Sequence, residues 1–265
     1  MRVLSGLIVS FGLLLGGTLV MAQSTGDTSA SLNELRTRAE GGDAEAMWRL
    51  GRMYESGTGM AKDLKKAFHF YEAAAEKGEP KAESDLASAY LNGAGVRKDF
   101  GKALAWFRKA ADHNIAVAQN NLGAMYYNGW GGEQDYRQAF YWYERAAGQG
   151  KAAAKNNLAV MYEKGLGTGA DFRKAAELYA EAARQGDSMA QFNLASLFAT
   201  GRGVRLDYVS AYLWYGLADK AGDRRAHLQM RSLESIMTPK QLQEARYRLS
   251  QSTTAEIVRS QDIER

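Results

Sequence analysis

The chain has 265 residues, a formal net charge of +4 and no cysteine. The charge is mild and spread along the sequence, which excludes the basic footprint of a nucleic-acid binder. The missing cysteines exclude a disulfide framework, so an exported form of this chain is held by its core alone, and its length suffices for a continuous one.

Met1-Arg2 is a short positive opening, and an apolar run from Val3 to Val20 follows, densest from Leu7 to Leu15. Val20-Met21-Ala22 supplies the short side chains that a signal peptidase reads, so residues 1–22 are expected to be a secretory signal cleaved before Gln23. The alternative is a retained anchor, because the run approaches spanning length. No cysteine follows that would take a lipid. Loss of Arg2 with the signal lowers the net charge from +4 to +3.

Residues 23–31 are small and polar and are expected to form a flexible leader. In residues 32–42, Leu35, Ala39 and Gly42 match the tail of the repeating unit described next. This segment is expected to be an N-terminal cap helix, since a solenoid needs an atypical end to cover its first apolar face.

From residue 43 the chain repeats itself every 36 residues. Leu50, Leu86, Leu122, Leu158 and Leu194 form one column, and Ala46, Ala82, Ala118, Ala154 and Ala190 another. Asp63, Asp99, Asp135, Asp171 and Asp207 form a third, and Ala67, Ala103, Ala139, Ala175 and Ala211 a fourth. Five copies without an insertion span 43–78, 79–114, 115–150, 151–186 and 187–222, a period typical of solenoids.

The third copy shows the logic. Ala118, Leu122 and Tyr126 lie four apart, one apolar stripe on a first helix. Gly129 and Gly131 follow and end that helix. Asp135 reads as the N-cap of a second helix, whose apolar face is Ala139, Trp142-Tyr143 and Ala146. Gly150 ends it, and its counterparts are Gly78, Asn114, Gly186 and Gly222. Asparagine is the next most tolerant residue in the left-handed region.

The skeleton A-x3-LG-x2-Y-x2-G-x-G-x3-D-x3-A-x2-WY-x2-AA-x2-G resembles the Sel-one-like repeat (SLR), a relative of the tetratricopeptide repeat, over Asp43 to about Gly222. The resemblance implies an all-α fold, an α/α superhelical solenoid of five helix-turn-helix repeats with half-repeat caps. It also implies an adaptor or scaffold role, with first helices lining a concave side.

After Gly222 the frame persists through Ala226 and Met230. Thr238-Pro239 reads as an N-cap with proline at the first helical position, and Leu242, Ala245 and Leu249 form a stripe on the helix that follows. Residues 223–251 are therefore expected to be C-terminal capping helices, and 252–265 a polar tail.

Chemistry beyond this is thin, and no catalytic, cofactor or metal residue is assigned. His69, His113 and His227 are far apart and occupy unequal repeat columns. The Gly-x-Gly of each copy follows a helix and lacks the rest of a phosphate loop. Cysteine-rich secreted relatives of the family have been linked to penicillin binding or β-lactamase activity. Here the matching positions lack cysteine, and the serine-lysine signature is absent.

What remains is the face opposite the leucine column on each first helix. Applying the family geometry, the expected groove lining includes Trp48, Arg52, Glu55, Ser84, Leu91, Asn120, Ala124, Tyr127, Asn156, Val160, Glu163 and Phe192, of which Trp48, Arg52, Glu55, Asn120, Tyr127, Asn156, Glu163 and Phe192 are the expected partner-binding residues. Trp48, Tyr127 and Phe192 are large apolar groups suited to anchoring a partner. Asn120 and Asn156 share a column and can pair with an extended peptide backbone. Trp130, in the third turn, either packs over its own helix pair or forms a further loop contact. The expected function is that of a non-enzymatic, exported scaffold, periplasmic or extracellular, for a protein or peptide. It would have no nucleic-acid partner and no stable membrane insertion after cleavage. The alternative is a cell-wall-active or β-lactam-binding protein.

Overall fold

The computed structural model describes residues 25–251 and residue 256, with side chains from residue 31 onward. The expected signal segment, the first two residues of the expected leader, and the expected tail apart from residue 256 lie outside the described residues. Among the described residues there are thirteen α-helices and no strand. Helix α1 (Thr25–Glu40) precedes five pairs: α2 (Ala44–Ser56) and α3 (Leu64–Glu76), α4 (Pro80–Asn92) and α5 (Phe100–Asp112), α6 (Ala116–Asn128) and α7 (Tyr136–Gly148), α8 (Ala152–Lys164) and α9 (Phe172–Arg184), α10 (Ser188–Thr200) and α11 (Tyr208–Lys220). Helices α12 (Arg224–Glu234) and α13 (Pro239–Gln251) close the described chain.

Within the leader expected to be flexible over residues 23–31, residues 25–31 are helical and belong to α1. No proline interrupts this stretch, and its later turns are fixed by burial. Leu32 and Leu35 pack against the cluster of Ala39, Ala46 and Leu50. A helix held at one end by apolar contacts propagates outward at little cost per residue.

The turns hold because each orphan backbone group finds a partner. Every aspartate of the third column caps a second helix. Asp63 accepts from Lys66 N, Asp99 from Lys102 N, Asp171 from Lys174 N, Asp135 from Arg137 and Gln138 N, and Asp207 from Val209 and Ser210 N. Each such cap contributes about 1 kcal/mol. The first glycine after each first helix adopts the left-handed conformation and donates to the carbonyl four residues back, as Gly129 does to Met125. Second helices end in the same way. Gly78 N donates to Ala75 O and Glu79 N to Ala74 O, a Schellman pattern. Asn114, at φ 62°, is the one non-glycine residue with positive φ among the described residues.

The second glycine of each turn has a different reason. A Cβ on Gly131 would lie 2.4 Å from the carbonyl oxygen of Phe100, at the start of the preceding repeat's second helix. Gly95 against Leu64, Gly167 against Tyr136 and Gly203 against Phe172 repeat this approach at 2.0–2.2 Å. Gly59, in the first copy, meets only the tip of Met53 at 3.4 Å. The glycine thus sets how closely one repeat seats on the one before it.

The helices form two compact units that divide in sequence between Gln134 and Asp135, so the third repeat contributes α6 to the first unit and α7 to the second. In the first unit each helix packs on its neighbours in sequence, from α1 on α2 to α5 on α6. In the second, the same holds from α7 to α12, and α13 packs on α11. This nearest-neighbour packing is the solenoid pattern. The leucine and both alanine columns are buried throughout, as are the ring positions Tyr71, Phe107, Tyr143, Tyr179 and Tyr215. Gly51 shows how tight this is, since a Cβ there would meet the Tyr71 ring at 2.6 Å.

Candidate partner-binding faces

The first helices do not present the open face expected from sequence. Ser84, Leu91, Asn120, Ala124, Asn156 and Val160 are all buried, with Asn156 only 3% exposed. The reason is packing on more than one side. α4 packs against both α3 and α5, and α8 against α7, α9 and α10, so the side opposite the leucine stripe is partly an inter-repeat contact. Asn156 spends its side-chain carbonyl inside the second unit, accepting from Asn193 Nδ2 at 3.0 Å. Trp48 makes the equivalent link in the first unit, donating Nε1 to Asp85 Oδ2 at 2.8 Å.

Both links join residues 37 apart, from one column to the next column of the following repeat. The column of the later partner, which accepts at Asp85 and donates at Asn193, reads Arg49, Asp85, Asn121, Asn157 and Asn193. It is polar in every copy although it adjoins the leucine column. That regularity is visible in the sequence itself.

Glu55 and Glu163 are half-buried and already engaged. Glu55 accepts from the Tyr71 hydroxyl, and Glu163 from the Tyr179 hydroxyl, each at 2.8 Å. Burial, with Asp85 and Glu55 alongside, pushes the Tyr71 phenol well above its ordinary range, so it stays a donor. Both groove carboxylates therefore brace core rings.

In the first unit the exposed remainder gathers around Trp48. Its ring is half-buried, with Lys81 Nζ 4.8 Å from the centroid. Arg52 lies 3.7 Å from Asp85 and is otherwise exposed. Burial raises the Asp85 carboxyl, and the Trp48 hydrogen bond and Arg52 pull it back down. An open cavity of about 500 Å³ is lined by Ser31, Leu35, Trp48, Arg49, Arg52 and Met53. Tyr127 is half-buried, and its backbone carbonyl accepts from Gln134 Nε2 at 2.6 Å.

In the second unit Phe192 is also half-buried, edge-on to Tyr215 at 5.2 Å and under the Arg225 guanidinium at 4.3 Å. Arg225 is fixed by Asp223, 2.5 Å away. Arg202 reaches Glu163 at 3.7 Å and covers the Phe172 ring at 4.1 Å.

Trp130 stacks on Phe100 of the preceding repeat, 5.7 Å between centroids and 9° between planes. The Gly131 approach brings its turn onto the start of α5, so the ring's stacking partner comes from the preceding repeat, which neither expectation named. The histidines stay apart, each near one carboxylate: His69 with Glu72, His113 with Glu83, His227 with Asp219. Among the described residues no cluster of three or more histidines and acids converges to hold a metal. No helix among them is long and apolar enough to cross a membrane.

The repeat geometry agrees with a family comparison. The Sel1 repeat matches five times without a gap, at residues 44–79, 80–115, 116–151, 152–187 and 188–223. The chain belongs to the Sel1-repeat family. Its fold is the all-α Sel1-repeat solenoid, commonly a protein-interaction scaffold and generally without enzymatic activity. Among solved structures it is similar to a protective antigen of uropathogenic Escherichia coli strains displaying an SLR fold, at 31% identity and a TM-score of 0.74, over 86% of this chain. This chain spans half of that antigen's length, 50%. A Sel1 repeat protein from Oxalobacter formigenes is 29% identical, with a TM-score of 0.71, over 85% of this chain and 94% of its own. A Sel1 repeat protein from Klebsiella pneumoniae, at 20% identity and a TM-score of 0.51 over 77% of this chain and 99% of its own, shares the fold. No curated protein matches the sequence.

Proposed function

We propose that this Sel1-repeat chain is an exported, non-enzymatic scaffold that binds a protein or peptide through the exposed parts of its first-helix faces, serving envelope regulation, assembly or host contact. The observation that carries this reading is a contrast between columns. Second-helix caps, leucines, alanines and turn glycines repeat through the copies, while the first-helix position opposite the leucine column reads Trp48, Ser84, Asn120, Asn156 and Phe192, half-buried at the two aromatic residues and buried at the other three. A fixed framework with a varied lining suits recognition of one particular surface. The half-buried rings of Trp48, Tyr127 and Phe192 would anchor the partner, since aromatic groups held in place lose little freedom on binding. Asn156 would act within the second unit by holding its repeat to the next through Asn193. The apolar opening of the chain supports export, and so does the likeness to an antigen of uropathogenic strains.

The test is crosslinking of the native protein in its own compartment, followed by capture and mass spectrometry. One recurrent cross-linked protein, mapped to the first helices, is the expected result. Crosslinks that map only to second helices would contradict the reading. So would covalent modification or turnover of a β-lactam by the purified protein.

A further inference from the structure

The open cavity between α1 and α2 combines two chemistries. Its apolar walls are Leu35, Trp48 and Met53, and its rim carries Arg49 and Arg52. The two arginines are three positions apart on α2, so they share one helix face. Both side chains are more than half exposed, 53% for Arg49 and 57% for Arg52. Their present partners leave donors to spare. Arg49 uses one terminal nitrogen on Glu45, four residues back on the same exposed face. Arg52 sits 3.7 Å from Asp85, beyond hydrogen-bond reach, and Asp85 already accepts from Trp48. A guanidinium carries five N–H donors arranged to grip a carboxylate. Lys81 Nζ lies 4.8 Å from the centroid of the Trp48 ring and adds a third cation nearby.

We infer that this cavity is a docking site for an acidic segment of the protein partner, one that inserts an apolar side chain between Leu35, Trp48 and Met53 and places a flanking carboxylate on Arg49 and Arg52. Charge complementarity selects this occupant. A carboxylate on the segment would take the guanidinium donors that Glu45 leaves unused on Arg49 and that Asp85, at 3.7 Å, leaves unused on Arg52, whereas a basic segment would add cations beside them. The cavity's size suits one large aliphatic side chain and its neighbours, not a folded domain. The inference rests on the reading of the first-helix faces as a protein-binding surface, and it names the chemistry recognised at their N-terminal end.

The experiment is fluorescence anisotropy on the purified full-length chain with three labelled pentapeptides: Glu-Asp-Leu-Asp-Glu, its amide analogue Gln-Asn-Leu-Asn-Gln, and Glu-Asp-Ser-Asp-Glu. The acidic leucine peptide is expected to bind at least tenfold more tightly than either control, with affinity falling as salt rises. The double variant Arg49→Gln/Arg52→Gln, at exposed positions outside the core, is expected to lose that preference while melting like the parent. Equal affinity for acidic and amide peptides, no binding by any of them, or an unchanged preference in the double variant would overturn the inference. The broader reading fails separately. If crosslinking recovers a partner on the first helices while the peptides do not discriminate, only the cavity assignment falls. If the peptides discriminate and crosslinks avoid the first helices, the first-helix reading falls and the cavity's role as the partner's docking site falls with it.

Discussion

Tyr179 donates its hydroxyl to Glu163, sixteen residues earlier and 2.8 Å away. Tyr71 and Glu55 repeat the link in the first copy. In the second copy the ring is Phe107, which has no hydroxyl, and the position sixteen earlier is Leu91. In the first, second and fourth copies donor and acceptor are thus kept or dropped together, whereas the fifth keeps Tyr215 with Ala199 sixteen residues earlier. Removing one partner of a buried pair strands the other, whereas replacing both by apolar groups is nearly neutral. Tyr179→Phe is expected to cost about 1–3 kcal/mol. The double variant Tyr179→Phe/Glu163→Leu, which reproduces the second copy, is expected to recover most of it. Additive costs in urea melts would show that the two residues are not coupled.

The turn glycines separate two costs. Gly167→Ala places a Cβ 2.2 Å from the Tyr136 carbonyl and strains a backbone at φ 71°. Gly59→Ala keeps the strain, at φ 72°, without the clash. The first change is expected to cost about 3 kcal/mol or more and the second about 1 kcal/mol. Equal melting temperatures for the two variants would mean that the turn does not seat on the neighbouring repeat.

Helix facing is tested at adjacent residues of α7. Ala139 is fully buried and Gln138 exposed. Ala139→Leu is expected to lose about 1–3 kcal/mol by overpacking, and Gln138→Leu close to nothing. Equal tolerance in thermal melts would overturn the assignment of faces.

These contrasts show what the sequence could and could not disclose. Caps and core columns were legible because each obeys a local rule: an aspartate one residue before a helix, a leucine at four-residue spacing, a glycine after the last turn. Asn114 was legible as the exception for the same reason. The site was less so. Asn156 and Val160 are polar or small enough to read as surface, and what buries them is the neighbouring repeat, which helical periodicity within one helix does not report. Trp130 likewise finds its partner, Phe100, in the preceding copy. The second glycine reads as a turn residue, while its tighter constraint is a backbone thirty-one residues earlier, as Gly131 lies from Phe100.

Glu83 offers a pH-dependent test. Its carboxylate is buried, 4% exposed, at the column where Gln119 donates to Ala111 O and Gln191 to Ala183 O. A carboxylate cannot make that bond, and burial raises its pKa despite His113 and Lys109 nearby. A raised folded-state pKa means that the native state holds the proton more tightly than the unfolded state, so stability falls as pH rises through that window. Glu83→Gln is expected to stabilise by about 1 kcal/mol at neutral pH, its amide donating to Ala75 O. The gain is expected to shrink as the pH drops toward the ordinary carboxylate range. A gain independent of pH would rule out ionisation as the cause.

Export has a direct readout. Intact mass of protein recovered from the periplasm or medium is expected to lack the first 22 residues, beginning at Gln23. Full-length protein held in the inner membrane would favour a retained anchor.

The central claim is that the first-helix faces bind a protein partner. The most direct measurement is partner capture by the Trp48→Ala/Tyr127→Ala/Phe192→Ala variant, beside circular dichroism and melting of the same preparation. All three rings are half-buried and lie outside the leucine columns. The expected variant keeps its helical content and melts somewhat lower, because Asp85 loses its indole donor. It is also expected to lose capture by tenfold or more, since truncating such anchors removes roughly 2 kcal/mol or more of binding. A folded variant that captures the partner as well as the parent does would contradict the claim.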